Sequence, residues 1–140
     1  MESQAMQHHN SLQKAIDIAM WMNFKYRTQK RSYAVMQDKK SKQYYVVQQQ
    51  GKKKTLNPLP TDYSGMSYQQ IQDIRSELDP LHHWEEIMGM VSSVHGELLR
   101  FILSHNIPLE RIIRYELAAR GHDENHNWVG YDNAKDIWLK

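Results

Sequence analysis

Two short β-prone segments joined by a polar turn constrain the fold of this chain most strongly. The first is YAVM at residues 33–36 and the second is YYVV at residues 44–47, with DKKSK at 38–42 between them. Aromatic and β-branched residues fit a pleated sheet surface, and a charged polar run between two such segments indicates a turn. The sequence therefore predicts a β-hairpin with a cationic tip.

The predicted hairpin lies within the most basic part of the chain. Residues 25–54 contain ten Lys or Arg residues and a single acid, Asp38, which gives a formal charge of +9. Basic side chains neutralise phosphates, and tyrosines between them can stack on bases. We therefore predict a nucleic-acid interface formed by Lys30, Arg31, Lys39, Lys40, Lys42, Lys52, Lys53, Lys54, Tyr33 and Tyr44. In the alternative interpretation the tyrosines face the core, and the lysines form a solvated face that protects a strand edge from aggregation.

The charge of the chain is unevenly distributed, although the net charge is only +2. Residues 1–60 carry eleven basic residues against three acids, and residues 61–140 carry seven against thirteen, so the two parts have formal charges of +8 and −6. Such segregation is informative about partners. Either the basic part binds an external polyanion, or the two parts attract each other within one molecule or across a homodimer.

The length of 140 residues predicts a single domain, residues 1–140, with one core. A basic helix–hairpin portion at 10–54 precedes a linker at 55–66, in which two prolines and a Ser-Gly pair indicate turns. The remaining residues, 67–140, are predicted to form an acidic helical portion.

Capping signals predict where the first helices begin. Asn10 and Gln13 have the spacing of a capping box and predict a helix from about residue 11 to 23. Ser67 and Gln70 repeat that spacing before the next helix.

The longest predicted helix follows Asp79-Pro80, an N-cap and first-turn proline, and extends over about 80–105. Its apolar residues recur every three or four positions for six turns, which predicts a long central helix that forms the spine of the core. Another helix is predicted from Pro108 to Arg120, a third strand at 128–130, and a final helix from Asp132 to Trp138. The predicted fold class is α+β and mostly helical, with the N-terminal helix and basic hairpin packed on the helical portion.

Other candidate sites are weaker. The helices at 98–120 resemble a helix-turn-helix, but interleaved acids favour a plain helical hairpin. The loop His122–His126 contains two imidazoles and two carboxylates, yet its spacing matches no zinc pattern and its composition is typical of a turn. We find no nucleophile, phosphate-loop or dinucleotide motif, so the sequence predicts neither catalysis nor a cofactor.

The absence of cysteine fits a reducing compartment, and the N-terminal residues lack the pattern of a secretory signal, so a cytoplasmic location is expected. No apolar run approaches the roughly 20 residues of a membrane span. The favoured function is a nucleic-acid-binding or regulatory accessory protein that contacts phosphates through the basic hairpin. The alternative is a protein-interaction module, such as an inhibitor, adaptor or immunity-type protein, that uses its segregated charge and acidic helical surface.

Overall fold

A computed structural model of the protein describes residues 8–9, 11–49 and 56–140. The chain divides into two compact units, Met1–Trp84 and Glu85–Lys140. The described residues contain six helices and an antiparallel β-hairpin, so the predicted mostly helical α+β fold class is confirmed. The division falls within a helix, and the described part of the predicted linker belongs to the first unit.

The first unit contains a three-stranded antiparallel sheet. Its strands are β1 (His8–His9), β2 (Tyr33–Gln37) and β3 (Tyr44–Gln48), in the spatial order β1-β3-β2. Strands β2 and β3 form the predicted hairpin, with Val35 opposite Val46. Both valines are fully buried, which fixes the register because a slip by one residue would turn them to the other face.

The prediction of a third strand at residues 128–130 is wrong. The third strand is β1, in which His9 lies opposite Tyr44. Trp128 forms only an isolated bridge with His122. The free edge of β3 is instead covered by the segment that precedes the first helix, which satisfies part of that edge's backbone hydrogen bonding.

Helix α1 (Leu12–Lys25) packs across the sheet. It begins at Ser11, whose hydroxyl accepts a hydrogen bond from the backbone N–H of Lys14 at 3.2 Å. The predicted cap, Asn10, lies outside the described residues. Two alanines on the sheet-facing side allow close approach to the strands. The core cluster consists of Ala15, Ala19, Met22, Tyr33, Val35 and Val46.

Asn23 fixes the end of α1 against the start of β2. Its side-chain amide donates to the carbonyl of Tyr33 at 3.1 Å, and the backbone N–H of Tyr33 donates to its Oδ1 at 2.6 Å. This reciprocal pair satisfies backbone groups of a strand end that would otherwise need water. The basic segment between α1 and β2 is therefore held at both of its ends.

The described part of the predicted linker is packed on the first unit. The N–H of Asn57 donates to the carbonyl of Val35 at 2.9 Å, and Leu59 contacts the core cluster. Helix α2 (Tyr68–Arg75) follows. It begins with the predicted capping box, in which the Ser67 hydroxyl accepts from the N–H of Gln70 and the Gln70 side chain accepts from the N–H of Ser67.

A buried carboxylate connects α1 with the segment before α2. Asp17 is only 3% exposed, and its Oδ1 accepts hydrogen bonds from the Tyr63 hydroxyl at 2.8 Å and the Gln13 amide at 2.9 Å. The Gln13 amide oxygen in turn accepts from the side chain of Gln70 at 2.9 Å. Burial raises the pKa of the Asp17 carboxyl, although the two hydrogen bonds act in the opposite direction.

The second unit consists of helices and one compact loop. Helix α3 (His82–Ser92) crosses the boundary between the units, and α4 (Gly96–Ser104), α5 (Leu109–Ala119) and α6 (Tyr131–Trp138) follow. Helix α5 packs on α6, and a guanidinium nitrogen of Arg114 donates to the carbonyl of Trp138 at 3.3 Å. After α5, Gly121 has φ +75° and lies against the ring of Trp128, and a glycine in this conformation commonly ends a helix.

The prediction of one helix over 80–105 is wrong. The chain leaves the helix after Ser92 and starts α4 at Gly96, where His95 acts as the N-cap. Its imidazole Nδ1 accepts from the N–H of Leu98 at 3.4 Å. Apolar periodicity continues across the break and therefore could not reveal it.

The predicted burial of the apolar stripes in the second unit is also wrong. Several residues of these stripes are substantially exposed, and these are Val91, Leu98, Phe101, Leu109, Ile112 and Ile113. The stripes therefore do not form the spine of a core. None of the helices among the described residues combines the length and apolar character needed to cross a membrane.

Candidate nucleic-acid interface

Most of the described basic residues of the first unit lie near two turns, one at each end of β2. The first group consists of Lys25 at the end of α1 and of Arg27, Lys30 and Arg31 in the turn that follows, while the second turn is the hairpin tip at residues 38–43. A five-residue strand separates them, which corresponds to about 16 Å at roughly 3.3 Å per residue. That distance is close to the rise of about five base pairs along a duplex.

The hairpin tip is built by backbone hydrogen bonds that leave its lysine side chains free to face solvent. The N–H of Asp38 donates to the carbonyl of Gln43 at 2.7 Å, and the N–H of Lys42 donates to the carbonyl of Asp38 at 2.8 Å. The Asp38 carboxylate accepts from the N–H of Lys40 at 2.9 Å. The one acid of the basic segment is therefore used to close the turn.

Four lysines of the two cationic turns are exposed and form no ion pair with a described residue. Among the residues that the structure describes, Lys30, Lys39, Lys40 and Lys42 have no carboxylate within ion-pair distance. In the second unit, by contrast, Arg100, Arg114 and Arg120 each pair with a glutamate three or four residues earlier in the same helix. The positive charge of these four lysines therefore remains available to an external anion.

Two of the four lysines have a backbone conformation that is energetically unfavourable for residues with a β-carbon. Lys30 has φ 54° and Lys42 has φ 63°, in the left-handed region that glycine and asparagine tolerate best. A long β-carbon-bearing side chain at such a position costs about 1–2 kcal/mol relative to the right-handed region. Strain retained at a charged residue points to a use for the charge.

We expect Lys42→Gly to stabilise the fold relative to Lys39→Gly. Glycine relieves the left-handed strain at 42, whereas at 39 it only adds entropy to the unfolded chain. The free energy of unfolding should differ between the two variants by about 0.5–1 kcal/mol in urea denaturation. Equal stability of the two variants would show that Lys42 is not strained.

The predicted tyrosines lie in or against the core. Tyr33 is 3% exposed and belongs to the core cluster, and Tyr44 packs against that cluster. The Tyr33 side chain is therefore buried and the Tyr44 side chain is partly buried. Arg31 lies over the ring of Tyr26 at 5.0 Å. Lys52, Lys53 and Lys54 lie outside the described residues.

An exposed aromatic column, which we define as His83, Trp21, Phe24 and Arg27, was missed by sequence reasoning. The His83 and Trp21 rings stack with centroids 4.5 Å apart and an angle of 6°. Phe24 follows at 5.9 Å from Trp21, and the Arg27 guanidinium lies 4.1 Å from the Phe24 centroid. The available signal was the three-residue spacing of Trp21 and Phe24, because it places both rings on one face of the predicted helix.

A polar cleft of about 620 Å³ adjoins the aromatic column. Trp21 and His83 line it together with Met22, Lys25 and Pro80. Burial lowers the pKa of His83, which keeps its imidazole neutral at pH 7, although the charge of Asp17 opposes this shift. The ring therefore stacks on Trp21 as a neutral aromatic group.

The remaining candidates from the sequence are engaged in local structure. Arg114 pairs with Glu110 at 3.0 Å and is therefore not directed toward a base. In the loop after α5, the Asp123 carboxylate accepts from the backbone N–H groups of Asn125 and Asn127, both at 2.9 Å, and so closes a turn. Over the described ranges, no three His, Asp or Glu side chains are grouped to hold a metal ion.

No protein-family model, no curated protein and no solved structure matches this chain. Its function is therefore inferred from its own residues. The candidate ligand-binding surfaces are the cationic turns and the aromatic column of the first unit.

Proposed function

We propose that the protein is a cytoplasmic nucleic-acid-binding accessory protein that contacts phosphates through the two cationic turns of its first unit. The observation that carries this proposal is the set of four exposed lysines, Lys30, Lys39, Lys40 and Lys42, which have no ion-pair partner in the described chain. Two of them are held in a left-handed backbone conformation. Nucleic acid carries phosphates at regular intervals along its backbone, so one molecule can contact two groups of cations that lie about 16 Å apart.

Such an interface is expected to bind with little sequence readout. Lysine interacts with phosphate as a point charge, and contacts of this kind position a protein on nucleic acid without reading bases. Binding should therefore be dominated by counterion release, and the affinity should fall steeply with salt.

Fluorescence anisotropy with a labelled random duplex and a labelled single strand tests the proposal. We expect micromolar or tighter binding at about 50 mM salt and a loss of about 10³–10⁵ in affinity at about 200 mM if six to ten phosphates are contacted. The absence of binding to both ligands at the lower salt concentration would reject the proposal.

The exposed apolar faces of α4 and α5 favour a second candidate function, association with a protein. In the fully described second unit, the buried residues are small, namely Ala118, Gly121 and Ala134. Leu98 and Phe101 lie on one face of α4, and within this unit α4 packs on no other helix. Helices that bury no large side chains need a partner that covers their apolar residues, because isolated helices of this length are only marginally stable in water.

A second copy of the chain is the partner that this face fits best. Three ion pairs, Glu97–Arg100, Glu110–Arg114 and Glu116–Arg120, neutralise the charges of α4 and α5 except that of Arg111. The two helices therefore carry a single uncompensated charge, which is a small repulsion against an identical face across a two-fold axis. A homodimer would bury the apolar residues of both copies.

We expect light scattering to give a dimer mass for the native chain and a monomer mass for the double variant Ile112→Glu and Ile113→Glu. Two carboxylates in an apolar interface would be desolvated without partners, which strongly opposes association. Leu103→Glu is the matched control, since Leu103 is exposed on a different side of α4 from Leu98 and Phe101. A monomer mass for the native protein at high concentration would remove the dimer.

A further inference from the structure

We infer that the aromatic column and its adjoining cleft form a stacking site for an unpaired base, which makes single-stranded nucleic acid the preferred ligand. This inference rests on the proposed function, since the cationic turns must first hold the phosphate backbone. It concerns aromatic residues of α1 and α3, together with Lys25 and Arg27 near the first cationic turn.

The column presents ring surface to solvent where a soluble protein normally covers it. Trp21 is 40% exposed and Phe24 is 56% exposed, although both belong to a helix whose other face forms the core of the unit. The stack is already ordered, because the Trp21 ring contacts the His83 ring at 4.5 Å and the Phe24 ring at 5.9 Å. A base that joins such a preformed stack requires little reordering of side chains.

The cleft beside the column has the size of a small-ligand site. Its volume of about 620 Å³ lies within the range of roughly 300–1,000 Å³ that is typical of such sites. Trp21 and His83 supply aromatic walls, and Met22 and Pro80 supply apolar ones. A flat heterocycle that enters there can extend the column on these rings.

The charges around the column match a nucleotide. Lys25 lines the cleft and Arg27 ends the column, so both can reach the phosphates on either side of a stacked base. Asp79 also lines the cleft and is its one carboxylate among the described residues, while Lys14 donates to the Asp79 backbone carbonyl at 2.8 Å. Cations interleaved with exposed aromatic rings are the combination that single-strand-binding proteins use.

Two oligonucleotides of equal length and charge separate base stacking from phosphate contact. One is oligothymidylate and the other carries the same sugar–phosphate backbone without bases. The native protein is expected to bind oligothymidylate about 10- to 100-fold more tightly than the abasic strand in fluorescence anisotropy, as one or two stacked bases would give. The variants Trp21→Ala and Phe24→Ala are expected to bind both strands with the affinity that the native protein shows for the abasic strand.

Tyr68→Ala is the matched control, because Tyr68 is an aromatic residue of the same unit that is 90% exposed and outside the column. It should keep the native preference for oligothymidylate. Equal affinity of the native protein for the two strands, or an unchanged preference in both folded column variants, would overturn the inference and leave the proposed function standing. Failure of the native protein to bind either strand at about 50 mM salt would overturn both.

Discussion

Reversal of the three charges at the hairpin tip, in the triple variant Lys39→Glu, Lys40→Glu and Lys42→Glu, is expected to weaken nucleic-acid binding by about 10³-fold at roughly 50 mM salt. Each phosphate contact releases about 0.9 counterion on a duplex, so three lost contacts remove about three decades of affinity at this salt concentration. The slope of log affinity against log salt should become shallower by about 2.7.

The fold should tolerate this change. The three lysines are exposed and form no ion pair within the described chain, and the hydrogen bonds of the turn use their backbone atoms. Surface substitutions of this kind usually change stability by less than about 0.5 kcal/mol. Far-UV circular dichroism and a urea titration of the triple variant would verify that the hairpin persists.

A second triple variant, Arg75→Glu, Lys135→Glu and Lys140→Glu, controls for net charge. It changes the total charge by the same amount at exposed positions outside the basic segment. If binding depends on the local geometry of the tip, this variant should retain most of its affinity, since it leaves all three lysines of the tip in place. Equal losses in the two variants would show that the attraction is general, and an unaffected tip variant would exclude the tip as the contact surface.

Features encoded by neighbouring residues could be predicted from the sequence. The hairpin follows from two β-prone runs around a polar turn, and its cationic tip lies where the charge pattern placed it. The capping box of Ser67 and Gln70 is another local signal, because both partners lie within one helical turn. The formation of such elements depends little on contacts with the rest of the chain.

Features that join distant residues could not be predicted in this way. From the sequence alone, Trp21 is expected to widen the apolar face of α1. It belongs to the column only because His83, which is distant in the sequence, stacks on its ring. Strand β1 likewise depends on where residues 8–9 meet β3. The break after Ser92 is set by His95 acting as a cap, a role that the uninterrupted apolar period conceals.

Asp17 shows the same difficulty in the core. An acid in an amphipathic helix is normally assigned to the solvated face. Here it is buried because the segment that contains Tyr63 folds over α1 and brings its hydroxyl to the carboxylate. Burial of this group creates the stability prediction with the largest expected effect.

Asp17→Ala is expected to lower the free energy of unfolding by about 2–3 kcal/mol. The substitution leaves the Tyr63 hydroxyl and the Gln13 amide without their acceptor, and unsatisfied donors in a partly buried site cost about 1–3 kcal/mol each. Urea unfolding at pH 7 measures the loss. Asp73→Ala is the matched control, because Asp73 is exposed on α2 and its removal should cost less than about 0.5 kcal/mol.

Asp17→Asn separates the hydrogen bonds from the charge. Both donors reach the same oxygen, Oδ1, which an asparagine retains, so we expect stability within about 1 kcal/mol of the native protein at pH 7. The two proteins should differ in their response to pH. Burial raises the pKa of the Asp17 carboxyl above its usual 3.8, so the folded chain binds this proton more tightly than the unfolded chain.

The contribution of this proton to stability is complete below pH 3.8 and is lost as the pH rises through the elevated pKa. His83 acts in the opposite direction, because its lowered pKa destabilises the fold as the pH falls below 6.5. Since His83 is present in both proteins, the difference between their unfolding free energies isolates Asp17 and its coupling to His83. We expect the native protein to lose stability relative to Asp17→Asn as the pH rises from about 3.8, because only the native carboxylate must be buried in its charged form. If the two curves of unfolding free energy against pH were parallel over that interval, Asp17 would have the same pKa in the folded and unfolded chains. Tyr63 and Gln13 would then stabilise the carboxylate as effectively as water does.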